Sequence, residues 1–244
     1  MARCIARLIL IGTGWSALAL LVASVCMLPP ARRAGDLGRT TVSGIFHAIF
    51  SPYFLAHAGT AFVIGWMFTA FVLHTSHGAR KCEFGWQAGQ VSSAIFGLTL
   101  PSALAAVFAP YAVRRLGKQR VITGLLLLEA INSVLMGVLS AHAAALIVFH
   151  AIAQFLNHAL QASNQARNKD IGVALTSNGV GSLTGVSRLC FSAGCAAGPV
   201  VSSVLYTTLG HASPYFALSG LQLLAFLEYP ACGLPLRREP DRLR

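Results

Sequence analysis

The sequence predicts an all-α, polytopic integral membrane protein with about seven transmembrane helices. Three observations carry that expectation. Hydrophobic residues make up 55% of the 244 residues and charged residues only 10%, whereas a soluble domain carries about 25% charged residues to cover its surface. The apolar residues are gathered into seven long stretches joined by short polar connections, and a bilayer-spanning helix needs roughly 20 mainly apolar residues. The basic residues behind the net charge of +11 sit at the ends of those stretches and not in one patch. That is the positive-inside pattern, and it argues against nucleic acid as a partner.

Residues 8–28 contain no charged residue and read as a lone transmembrane helix, 1–28, closed by Pro29 and Pro30. A signal peptide is the rival reading, because Arg3 and Arg7 precede the apolar run. The run is longer than the usual h-region of about 7–15 residues, and no clean small-x-small cleavage site precedes Pro29. Residues 29–50 form a basic cytoplasmic linker whose apolar end, 45–50, suits the membrane interface. A six-helix transmembrane module follows over 51–236, with spans at 53–74, 88–113, 121–140, 143–163, 178–209 and 213–236. Residues 237–244 are a basic cytoplasmic tail. No low-complexity tract and no repeat of solenoid period is visible. The six cysteines include no C-x-x-C pair, so neither a disulfide framework nor a metal site is implied, and no cofactor is expected.

The basic residues also orient the chain. With the linker in the cytoplasm, 13 of the 18 Lys and Arg fall in the linker, the 114–120 and 164–177 connections and the tail. Such a bias places the C-terminus inside, in a plasma or inner membrane. Over seven spans the N-terminus is then outside, where Arg3 and Arg7 are unexpected.

The fifth span carries the best functional signal. Gln154, Asn157, His158 and Gln161 fall at i, i+3, i+4 and i+7, and His150 and Gln165 extend the line one turn each way. In a helix they share one face. Polar groups are costly in hydrocarbon unless paired or facing a wet cavity. The stripe therefore either lines a solute cavity or bonds to neighbouring helices as polar glue. His57, on the second span, either joins that cavity or is simply hydrogen-bonded. Glu129 lies mid-span, where a carboxylate is costly as an anion and a neutral acid can carry a proton; a packing or ion-pair role is the alternative. Arg188, well inside the sixth span, can pair with Glu129, bind an anionic solute or snorkel to the interface. Glu228 reads as an end anchor. Gly194-x-x-x-Gly198-Pro199 sits in a run of small residues that lets helices approach closely, and Pro199, like Pro101 and Pro110, removes a backbone donor. Such helices suit a gate, or merely pack.

Order and spacing add a resemblance. The basic segment Arg114-Arg115-Leu116-Gly117-Lys118-Gln119-Arg120 follows the second helix of the six-helix module, and the GxxxGP motif lies in its fifth. In this the chain resembles the C-terminal half of a major facilitator superfamily transporter. That family has a D-R-x-G-R-K-R-type loop between the second and third helices of a half, and its drug–proton antiporters carry GxxxGP in a fifth helix. Arg115, Gly117, Lys118 and Arg120 match, while Pro110 and Arg114 stand where the motif has Gly and Asp. Gly185-Val186-Ser187-Arg188 ahead of Gly194-x-x-x-Gly198-Pro199-Val200 is similar to the family's eleventh helix, and Gly14-Trp15 through Pro29-Pro30 to its sixth.

The resemblance thus covers helices six to twelve and makes the fifth span helix ten, which lines the central cavity. It implies secondary active transport of a small organic solute, such as proton-coupled efflux of a drug-like compound, by a truncated or half-size transporter. Solute contact would fall to His150, Gln154, Asn157, His158, Gln161 and His57. Gly194, Gly198 and Pro199 would gate, and Arg115, Gly117, Lys118 and Arg120 would form a cytoplasmic latch. The implied partners are a solute, the lipid bilayer, and a second half-transporter or a second copy of the chain. The rival of another class is a non-transporting seven-helix receptor or partner-binding relic, although D-R-Y and N-P-x-x-Y are absent. An enzyme is not expected, since no Ser–His pair has nucleophile-motif context.

Overall fold

The structure is a computed structural model that describes residues 42–76, 85, 87–175 and 180–231. Internal contacts divide the chain into Met1–Arg39 and Thr40–Arg244, and every described residue belongs to the second unit. The lone helix or signal peptide expected at 1–28, most of the linker, Arg80, Lys81, four of the cysteines and the basic tail lie outside the described residues.

All regular structure among the described residues is helical. The helices are α1 (Val42–Ile49), α2 (Pro52–Ser76), α3 (Ala88–Leu116), α4 (Lys118–Val138), α5 (Ala143–Leu175), α6 (Val180–Leu209) and α7 (Ser213–Ala231). Four stretches, Pro52–Ala70, Lys118–Val138, Ala144–Val173 and Gly181–Leu209, are long and apolar enough to cross a membrane. Among the described residues, four of the expected spans thus qualify by length and composition; the span expected at 1–28 lies outside them.

Two boundaries differ from those the hydropathy marks. The fifth span does not end at Ser163; α5 runs on to Leu175. Gln165, Ala166, Arg167 and Lys169 are good helix formers, so polarity here does not mark the end of the helix. The basic segment at 114–120 is likewise no extended loop. Arg114 and Arg115 form the last turn of α3, and Lys118 opens α4. Gly117 alone joins them, at φ +83°, a conformation open to glycine at little cost. Its N–H donates to Val113 O (3.0 Å), and its carbonyl accepts from Val121 N (3.1 Å).

Named contacts give the helix directions. His57 meets Ser187, and Thr69 Oγ1 donates to Cys195 O at 3.0 Å, so α2 and α6 run parallel. Phe108 faces Phe155, while Lys118, just beyond α3, meets Asp170, so α3 and α5 are parallel too. Asn132 donates to Phe149 O, and Ser219 donates to Ala130 O; α4 is antiparallel to both α5 and α7. His57 lies beside Asn164 and Asn168 while Phe68 meets His158, so α2 is antiparallel to α5, and the six long helices alternate in direction.

Their packing has an internal symmetry. α2 packs on α6 and α3 on α5; α4 packs on both α7 and α5, and α2 on both α5 and α7. Exchanging α2 with α5, α3 with α6 and α4 with α7 maps this set of pairs, and the contacts between α2 and α3, α3 and α4, α5 and α6, and α6 and α7, onto itself. Because α2 and α5 are antiparallel, the exchange inverts direction. The module is thus two three-helix units of opposite sense.

Small residues make the closest contacts. A Cβ on Gly65 would overlap the carbonyl oxygen of Phe191, one on Gly194 that of Phe62, and one on Gly198 would lie 2.8 Å from Trp66 O. The backbones of α2 and α6 touch at these positions, as small-residue helix contacts allow. The equivalent pair, α3 and α5, uses Ala105, Ala109 and Ala159. A larger cluster, including Ile64, Met67, Leu126, Leu160 and Leu218, fills the space between α2, α4, α5 and α7. α1 lays Ala48 against Phe54, Ile171 and Leu183, while Phe46 and Phe50 point outward.

The contact predicts a sharp contrast. Gly194→Leu should lower the thermal unfolding temperature of the detergent-purified chain by about 5–10 °C, the scale of overpacking by roughly 2–3 kcal/mol. Gly185, which has nothing within 4 Å of its would-be Cβ, should accept Leu with little change. Equal shifts would show that the α2–α6 contact is not where the glycines matter.

Candidate functional site

At the end of the bundle that carries Gly117, α2, α5 and α6 surround a cavity of about 390 Å³. Its α5 wall presents Gln161, Asn164, Gln165 and Asn168, spaced i, i+3, i+4 and i+7, with Lys169 beside them. Its α6 wall presents Thr184, Ser187, Arg188 and Phe191 in the same spacing. That interval puts four side chains on one helical face, so each helix turns a single polar face to the cavity. Ala61 and Ile64 of α2 close the remaining side.

The polar groups are tied together across helices. Asn168 Nδ2 donates to Thr184 Oγ1 at 3.0 Å. His57 Nε2 lies 3.1 Å from Ser187 Oγ, and its ring is surrounded by Asn164, Asn168 and Arg167. Arg167 is 3% exposed, and its Nη1 has no hydrogen-bond partner among the described residues. Just beyond, Lys118 Nζ reaches both carboxylate oxygens of Asp170, at 2.8 and 2.7 Å. This pair clamps the start of α4 to the end of α5. The His57–Ser187 pair lies between the interiors of two helices, whose backbone N–H groups are committed to helix bonds. No backbone donor stands ready there for an oxyanion, and the pair serves as an interhelix bond.

The residues that the sequence singles out scatter around this site. Gln161 lines the cavity, and His57 borders it through Ser187. His158 is half-buried; its Nδ1 is 2.9 Å from Gln154 O, and its ring meets the ring of Phe68 edge-on. Gln154 and Asn157 are buried, and Asn157 Oδ1 has no hydrogen-bond partner among the described residues. His150 is buried and turned toward α7, with Nδ1 2.8 Å from Leu146 O and its ring against Tyr215. Glu129 is fully buried, and neither carboxylate oxygen has a hydrogen-bond partner among the described residues. Among the described residues the Lys118–Asp170 bridge is the ion pair found within 4 Å, so Arg188 does not pair with Glu129. Arg188 is exposed on the cavity wall, and Glu228 is exposed near the end of α7.

Gly194 and Gly198 form the α2 contact, while Pro199 is half-buried within α6. Of the basic segment, Arg115 lies 5.2 Å from the centre of the Tyr111 ring, Arg120 is exposed, and Lys118 alone makes an ion pair. Asn164, Asn168, Lys169, Asp170, Thr184 and Ser187 were not singled out by the sequence. The signal was present: the i, i+3, i+4 run of polar residues on α5 continues past Gln161 to Asn168. Among the described residues no group of three His, Cys, Asp or Glu could hold a metal ion.

The chain matches no family model and no curated protein.

A double-substitution cycle on Lys118→Met and Asp170→Asn should give a coupling of about 0.5–1 kcal/mol in thermal or denaturant unfolding, the size expected of a half-exposed pair. A coupling near zero would show that the clamp between α4 and α5 contributes nothing.

Proposed function

We propose that this chain is the C-terminal-type half of a major facilitator-like secondary transporter, embedded in a membrane with its Gly117 end in the cytoplasm. The observation that carries the reading is the inverted exchange of α2–α4 with α5–α7 around a polar cavity. Inverted three-helix repeats within each six-helix half, with the substrate held at a repeat interface, are the build of that transporter class. Arg115, Gly117, Lys118 and Arg120, together with Gly194, Gly198 and Pro199, support it, because they fall in the second-to-third helix connection and the fifth helix of the module.

Transport would proceed by rocking of this half against a second one around the site. The second half is supplied by further polypeptide, a partner or another copy. Gln161, with the α5 and α6 faces around it, would hold a small organic solute. His57 and Ser187 would hold those two faces in register, while Gln154, Asn157 and His158 would meet the solute farther along α5. A carboxyl group as dry as Glu129 is suited to hold a proton, because among the described residues its charged form has nothing to pair with. The chemistry is binding and release, with no bond made or broken.

The test is flux. In pyranine-loaded membrane vesicles from the cells that natively make the chain, where its second half is also present, an imposed proton gradient should drive counterflow of at least one member of a panel of cationic, neutral and anionic small solutes, and deletion of the chain should remove it. Gln161→Ala and Asn157→Ala should each slow that flux without loss of protein. Glu129→Gln should abolish the accompanying proton movement while leaving solute exchange. Proton-independent behaviour of every solute, with the chain correctly inserted, would defeat the coupled-transport reading.

A further inference from the structure

We infer that the cavity between α2, α5 and α6, taken as the solute site of the transport reading, receives an anionic group, a carboxylate or a phosphate, between Lys169 and Arg188. Among the described residues the positive charge on the cavity wall is left unbalanced. The ionisable residues on the cavity wall are Lys169 and Arg188, and among the described residues no acid lines it with them. The nearest carboxylate in sequence, Asp170, is committed to Lys118 through both oxygens. Glu129 belongs to α4, makes no hydrogen bond and forms no ion pair among the described residues.

Behind the wall, Arg167 adds a third positive charge, 3% exposed and outside any ion pair among the described residues. Charges of one sign around a cleft with low-dielectric walls focus the field and concentrate the opposite ion there. The rest of the wall fits an organic anion. Gln161, Gln165, Thr184 and Ser187 offer amide and hydroxyl groups to polar substituents, and Ile64 and Phe191 offer an apolar face. The volume of about 390 Å³ lies within the roughly 300–1,000 Å³ of small-molecule sites.

Two sources could supply such a group, a free organic acid or the headgroup of an anionic lipid, and the test separates them. The full chain in phosphatidylcholine nanodiscs is titrated with 4-fluorobenzoate and with its neutral isostere 4-fluorobenzamide, with binding followed by fluorine NMR. The benzoate should bind saturably and at least about tenfold tighter than the amide, as a charge-assisted contact implies. Lys169→Gln and Arg188→Gln should each weaken it by about tenfold, while Arg188→Lys, which keeps the charge, should retain most of the binding. Both side chains are exposed, so the fold should survive, which the unfolding temperature checks.

Displacement of the benzoate by added phosphatidylglycerol would name the lipid headgroup as the natural occupant; no displacement would name a free solute. Equal binding of the amide, absence of saturable benzoate binding, or benzoate binding untouched by the double Gln variant would overturn the inference. The readout needs no flux. Anion binding without transport would defeat the transport reading and leave this site standing, whereas transport of a neutral solute without benzoate binding would do the reverse.

Discussion

The bundle exposes large apolar side chains on its outer surface and buries charged and polar ones within an otherwise apolar core, and that arrangement is the constraint from which the rest follows. Phe96, Leu100, Val107, Leu189 and Leu209 stand more than half exposed on the outer surface, while His57, Glu129, Asn157, Arg167 and Gln222 are buried. Water favours the opposite arrangement. In hydrocarbon the outer residues are at home, and the inner ones find partners or a cavity. The helical form itself obeys the same constraint, because a helix satisfies its backbone groups internally.

A solvent as oily as leucine gives helices little hydrophobic reason to associate, so contact depends on close packing and on interhelix hydrogen bonds. Both are present. Gly65, Gly194 and Gly198 bring the α2 and α6 backbones together, and Ala105, Ala109 and Ala159 do so for α3 and α5. Asn132, Ser219 and Gln222 bond across helices, and bonds of this kind contribute about 0.6 kcal/mol each. The α2–α6 contact also sets the site: by fixing His57 against Ser187 it turns the polar face of α6 toward that of α5, and the cavity is the space left between them.

Much of this was legible in the sequence. Long apolar runs marked the helices, and the polar stripe on α5 marked the helix that forms the cavity wall. What escaped did so for physical reasons. Hydropathy falls where polar residues gather along α5, not where its hydrogen bonds stop, so Asn164 and Asn168 read as loop. The turn at Gly117 depends on a backbone angle that hydropathy does not register. The inverted repeat was invisible because equivalent contacts are made by different residues, glycine where α2 meets α6 and alanine where α3 meets α5. The Lys118–Asp170 clamp joins residues from two connections that looked like separate loops.

The most direct measurement is the sidedness of the turns. In a background without native cysteines, Gln119→Cys at the α3–α4 turn and His211→Cys at the α6–α7 turn are challenged in intact cells with a membrane-impermeant maleimide. The account predicts that the thiol placed at the α6–α7 turn is labelled at once, and the thiol at the α3–α4 turn only after the membrane is opened. Labelling of both from one side, or release of the chain from membranes at alkaline pH, would contradict a bundle that threads its helices alternately through lipid.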